Sequence, residues 1–127
     1  MHRSRLGAII IDCKTDVLDE AAEFWSQALG CPARKSDDPE DENYVLLETE
    51  PNELQVEVQK VDHPSRVHID IEADDIEAEV RRLEKLGAKR LGQVKSWWIM
   101  EAPTGQRFCV IEPQRSEFSN EANVWEE

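Results

Sequence analysis

Val67-His68-Ile69-Asp70-Ile71, followed by a helical pattern that closes on Leu86-Gly87, decides the reading of this chain. The same order has already occurred once, from Ile9-Ile10-Ile11-Asp12 to Leu29-Gly30. In both places a β-branched run leads to an acidic residue, then a helix, then further strand-like runs. A repeat at about half the chain length implies two similar modules sharing one core, with a site where the modules face each other.

Leu6 to Cys13 reads as a buried strand. Asp16-Val17-Leu18 then opens a helix, with Asp16 as N-cap and Asp19 and Glu20 in the first turn. Val17, Ala21, Phe24, Trp25, Ala28 and Leu29 recur at three- and four-residue spacing and give that helix an apolar stripe, which Gly30 ends as C-cap. Ser36 to Asn43 is an acidic connection without an apolar anchor. Tyr44 to Leu47 and Leu54 to Val58 are predicted strands around a turn at Pro51-Asn52. In the second of them Leu54, Val56 and Val58 alternate with Gln55, Glu57 and Gln59, so one face is apolar and the other polar.

His63-Pro64-Ser65 marks a joint, and beyond it Val67, Ile69 and Ile71 alternate with His68, Asp70 and Glu72. Asp74 or Asp75 caps a helix whose Ile76, Val80, Leu83 and Leu86 form the inward stripe, with Glu77 and Arg81 at ion-pair spacing. Trp97 to Met100 and Arg107 to Glu112 are strands on either side of a turn at Ala102 to Gly105. Module one therefore spans about 5–61 and module two about 66–113 of a single domain, followed by a tail over 114–127. Phe118 and Trp125 predict that this tail docks on its own domain or on a partner subunit.

A length of 127 residues suits one domain rather than two. The net charge of −13 argues against a nucleic acid or an anionic membrane surface as partner, since both are polyanions. The apolar run Leu6 to Ile11 is too short for a signal peptide or a membrane span. Cys13, Cys31 and Cys109 are odd in number and widely spaced, as expected for reduced thiols in a cytoplasmic protein.

Three stretches in this order, Ala21-Ala22-Glu23-Phe24-Trp25-Ser26-Gln27-Ala28-Leu29-Gly30, Val67 to Asp75 and Trp97 to Ile111, resemble the glyoxalase/bleomycin-resistance/dioxygenase superfamily, the vicinal oxygen chelate proteins. The resemblance covers roughly 6–112 and is strongest to glyoxalase-like members whose substrates are mostly unassigned. It implies an α+β fold: two βαβββ modules forming a cupped, barrel-like mixed sheet, with helices outside and a cavity inside. It also implies, for metal-dependent members, a divalent ion held on four positions, two from each module. Those positions match Ala8, Gln55, His68 and Cys109 here. A methyl group, a neutral amide, one imidazole and one thiol resemble neither an oxygen-rich cage nor an ordinary zinc site. The expectation is therefore no metal cofactor, with a divalent ion reshaped around Glu57 or Asp70 as the less favoured alternative.

The ligand cavity is expected to be lined by Ala8, Gln55, Glu57, His68, Asp70, Trp98 and Cys109. Trp97 and Trp98 must point to opposite faces of their strand, one to the helix side and the other into the cavity. Three functions compete. The first is metal-independent binding of a small cationic or aromatic molecule, similar to the acidic dimeric members that sequester drugs. The second is an enzyme of lyase, isomerase or oxygenase type, with His68 and Glu57 as candidate catalytic groups and Asp70 as a further carboxylate; an imidazole titrates near neutrality and suits acid-base work. The third is an assembly domain whose cup is vestigial. The resemblance implies a homodimer for each.

Overall fold

A computed structural model describes residues 1–126. They form an α+β protein that divides into two compact units, Ala8–Val67 and residues 1–7 joined with 68–126. Each unit contains the βαβββ succession.

In the Ala8–Val67 unit the second half of β1 (His2–Lys14) leads to α1 (Leu18–Leu29), then β2 (Ala33–Arg34), β3 (Tyr44–Leu47) and β4 (Gln55–Val61). β1 and β4 pair in parallel, with Ala8 opposite Gln55 and Ile11 opposite Val58. β4 continues antiparallel to β3, and β3 to β2. The polar and apolar alternation of β4 is realised: Val58 is fully buried and pairs with the buried Val45, while Gln55, Glu57 and Gln59 occupy the other face. α1 packs against β3 and β4. Burying side chains such as Leu47 and Val58 stabilises the fold by about 1.5–3 kcal/mol each.

α1 differs from its expected form in two ways. Its N-cap is Val17, which makes no side-chain cap hydrogen bond, so Asp16 does not cap it. Its inward face runs through the buried Ala22 and the partly buried Leu18 and Trp25, leaving Phe24 61% exposed. A small residue at the contact lets the helix lie close to the sheet, and Phe24 instead packs edge-on against Trp25. Gly30 ends the helix at φ +69, the left-handed conformation that makes a glycine favourable there.

In the other unit β5 (Arg66–Ala73) pairs in parallel with β8 (Arg107–Ile111), which pairs antiparallel with β7 (Trp97–Glu101), and β7 with β6 (Lys89–Val94). α2 (Ile76–Lys85) covers one face, where Ala73, Val80, Leu83, Met100, Phe108 and Val110 make the core. Asp75 is the N-cap, its carboxylate accepting from the Ala78 N–H at 3.0 Å. Asp75→Ala is expected to lower stability by about 1 kcal/mol, read from a shifted urea midpoint at unchanged slope. Glu77 keeps a weak electrostatic attraction to Arg81, the pair its spacing predicts, but its main partner is Arg90. Arg90 approaches it with both terminal nitrogens, at 2.9 and 2.6 Å, and reaches Glu84 at 3.0 Å. A two-pronged guanidinium–carboxylate contact outcompetes a single-point pair along the helix.

The tail docks on this same unit. After α3 (Phe118–Glu121), β9 (Asn123–Trp125) pairs antiparallel with the first residues of β1, from His2 to Ser4. Phe118 is buried beneath Arg5, and the Trp125 indole N–H donates to Ser4 Oγ at 2.8 Å while Arg82 stacks on its ring at 3.8 Å. Two carboxylates of the unit are fully buried. Glu72 accepts from Arg5 at 2.6 Å, Arg115 at 3.1 Å and the Gln114 N–H at 2.9 Å. Glu79 accepts from Ser4 at 2.8 Å and from Arg82 at 2.8 and 2.9 Å, with His2 Nε2 2.7 Å away.

Candidate functional site

In the Ala8–Val67 unit, Ala8 and Gln55 are direct cross-strand partners, and Glu57 stands beside Ile10 on one side and Leu46 on the other. Strand alternation puts Ala8, Gln55 and Glu57 on the face opposite α1. The face also carries Gln59, whose amide donates to the Tyr44 hydroxyl at 2.9 Å. Ala8 is only 2% exposed, so the methyl group is enclosed and no side-chain donor stands at its place.

In the other unit, His68 and Asp70 lie two residues apart on β5 and so share a face, and Cys109 is the β8 partner of Asp70. The imidazole, carboxylate and thiol donor atoms all fall within 4.8 Å of one another. His68 Nε2 lies 3.6 Å from Asp70 Oδ1, an electrostatic contact beyond good hydrogen-bond reach. Asp70 is 8% exposed, and its Oδ1 is buried with no hydrogen-bond partner among the described residues.

Trp98 is not on this face. It packs against the core beneath α2, with the Arg90 guanidinium 4.9 Å above its ring. Its neighbour Trp97 therefore takes the face shared with Cys109 and Ile99. The phase is set by Met100 and Val110, whose complete burial fixes which side of β7 and β8 meets the helix.

The cysteines are all free, and their surroundings differ. Burial raises the Cys13 thiol above its ordinary value, helped by the charge of Asp12 and opposed by a hydrogen bond with Trp25. That thiol is held protonated, away from nucleophilic work. Cys109 alone among the three belongs to the cluster of donor atoms. Sequence reading missed an open cavity of about 440 Å³ lined by Arg81, Arg82, Lys85 and Trp125. It depends on the tail reaching α2, which no local pattern announces.

The four positions that the resemblance assigns to a metal do not fit an oxygen-coordinated divalent ion. Ala8 contributes no atom and Gln55 a neutral amide, so half of the set offers one weak donor, whereas magnesium-like ions require carboxylates and several oxygens.

The sequence matches the model of the glyoxalase-like domain over residues 8–111. No curated protein matches it. A hypothetical protein of Bacillus halodurans shares the fold at 14% identity and a TM-score of 0.63, over 89% of this chain and 96% of its own. Methylmalonyl-CoA epimerase of Mycobacterium tuberculosis does so at 17% identity and 0.60, over 86% and 87%. The Mn(II)-bound glyoxalase of Novosphingobium aromaticivorans does so at 15% identity and 0.61, over 92% of this chain but 44% of the larger protein. No helix of the described residues is long and apolar enough to cross a membrane. With the family model covering most of its length, the chain belongs to the glyoxalase-like domain family.

Proposed function

We propose that this chain is a small-molecule-binding protein of the glyoxalase-like family that works without the oxygen-coordinated divalent ion of its metal-dependent relatives. The observation that carries the reading is Ala8, an enclosed methyl in register with Gln55 where a ligating side chain would be needed. Gln55 and Glu57 offer polar contacts on the Ala8–Val67 unit; His68, Asp70 and Cys109 offer them on the other unit, where Trp97 replaces Trp98 as the aromatic contributor. The carboxylates and the charge of −13 favour a cationic aromatic ligand. Free cysteines support a cytoplasmic setting, and exposed apolar side chains such as Phe24 and Ile69 support a homodimer.

A thermal-shift screen against cationic aromatic compounds, with a parallel Mn²⁺ and Mg²⁺ titration, tests this function. A ligand at one hundred times its Kd stabilises the folded state by about 2.7 kcal/mol, a rise of several degrees in Tm. The rise should disappear in Glu57→Gln and His68→Ala, and neither ion should bind at stoichiometric level. Stoichiometric Mn²⁺, or a ligand shift unchanged in both variants, would overturn the proposal.

The His68–Asp70 contact favours a second reading, acid-base catalysis with the carboxylate orienting the imidazole. Product formation at the wild-type rate by both His68→Ala and Glu57→Gln would remove these groups from any such mechanism.

A further inference from the structure

We propose that His68, Asp70 and Cys109 form a binding site for a thiophilic divalent ion, specifically Zn²⁺, contained within one βαβββ unit. The site builds on the loss of the four-position set but differs from it in composition, because Asp70 brings in a carboxylate and the Ala8–Val67 unit supplies no donor.

The geometry follows from strand pairing. Residues 68 and 70 project from one face of β5, and the parallel register brings Cys109 of β8 beside Asp70. Their donor atoms converge within 4.8 Å. Tetrahedral zinc with nitrogen, oxygen and sulfur ligands spaces its donors about 3.3–3.8 Å apart, so side-chain rotations of about an ångström close the set without moving the strands. One of the pairs, His68 Nε2 to Asp70 Oδ1, already stands at 3.6 Å.

Asp70 supplies an independent observation. Its Oδ1 is buried with no hydrogen-bond partner among the described residues, in a side chain 11% exposed. A buried carboxylate oxygen without a donor is unfavourable unless a positive charge approaches it. A cation between the imidazole, the thiol and this oxygen answers that need.

The donor chemistry selects the ion. A thiolate and an imidazole prefer zinc over magnesium, calcium or manganese, which favour oxygen shells. Three protein ligands leave a fourth tetrahedral position for water or for a donor atom of a bound molecule. Formation of the zinc–sulfur bond releases the thiol proton to solvent, so zinc uptake is accompanied by proton release.

Titration of the full chain, stripped with chelator, with Zn²⁺ and separately with Co²⁺ tests the site. One Zn²⁺ per chain is expected, and bound Co²⁺ should show thiolate charge-transfer absorption in the near ultraviolet. Cys109→Ser should abolish that absorption and, like Asp70→Asn and His68→Ala, weaken Zn²⁺ binding by about a hundredfold or more, beyond the loss typical of outer-shell changes. Cys13→Ser and Cys31→Ser should bind as the wild type does, and circular dichroism confirms that each variant is folded. No Zn²⁺ binding, or binding unchanged in Cys109→Ser, would overturn the proposal. Mn²⁺ binding reports on the four-position set and so separates failure of the proposed function from failure of this site.

Discussion

Glu72→Ala is expected to destabilise the protein by about 3–5 kcal/mol, a large part of the stability of a domain this size. Glu72 is fully buried, and the side chains of Arg5 and Arg115 that converge on it are only 9% and 7% exposed. Removing the carboxylate leaves two guanidinium groups with little water to replace it, and the cost of that uncompensated charge exceeds the lost attraction. The Gln114 N–H also loses its acceptor. Because Arg115 also donates to the Leu6 carbonyl and Arg5 to that of Ser116, the tail should loosen along with the pair. Replacing Arg5, Glu72 and Arg115 together by Met should cost much less, since no buried charge remains. Urea unfolding of both variants, with hydrogen exchange over the tail, provides the check. A loss below about 1 kcal/mol in Glu72→Ala would show that the buried charges are solvated in some other way.

Glu72 also shows where sequence reading stops. It occupies a polar position of an alternating strand, yet it is completely buried. Its cations come from 67 and 43 residues away, so no window of sequence contains the partners. The elements that were legible are those whose signal is local. The alternation of β4, an aspartate cap on α2 and the helix-ending Gly30 each express a preference of a few consecutive residues, and each is realised, whereas in β5 the polar Asp70 and Glu72 are buried and the apolar Val67 and Ile69 are exposed. The family likeness is legible for the same reason, because it rests on the order of such local pieces.

What escaped is non-local. β2, with two residues, and β9, with three, exist through pairing with distant strands rather than through their own propensity. The Trp97-Trp98 doublet fixes that one indole faces each way, but its phase depends on Met100 and Val110 meeting the core. The candidate site divides along the same line. That His68 and Asp70 share a face follows from their spacing, whereas the arrival of Cys109 beside Asp70 requires the parallel pairing of β5 with β8.

Glu79→Ala is expected to cost about 3 kcal/mol at neutral pH, the low end of buried ion-pair losses, because Arg82 keeps 24% of its side-chain exposure and can recover some hydration. The more distinctive result is its pH dependence. Burial alone would raise the Glu79 carboxyl, but hydrogen bonds with Arg82, His2 and Ser4 outweigh it and hold the group below its ordinary value of 4.5. A carboxyl whose folded-state pKa is depressed favours folding fully above its unfolded-state value and loses that contribution as pH falls through the folded-state value. The wild type should therefore lose stability on acidification below about pH 4.5, and Glu79→Gln, which cannot titrate, should follow a shallower acid slope. Urea midpoints from pH 7 down through this window make the comparison. Parallel slopes for the two proteins would mean that the acid sensitivity arises elsewhere, for instance at the exposed Glu77, whose hydrogen bond with Arg90 also lowers its pKa. Arg90→Gln would then flatten the slope that Glu79→Gln leaves intact, which assigns the proton uptake to one carboxylate or the other.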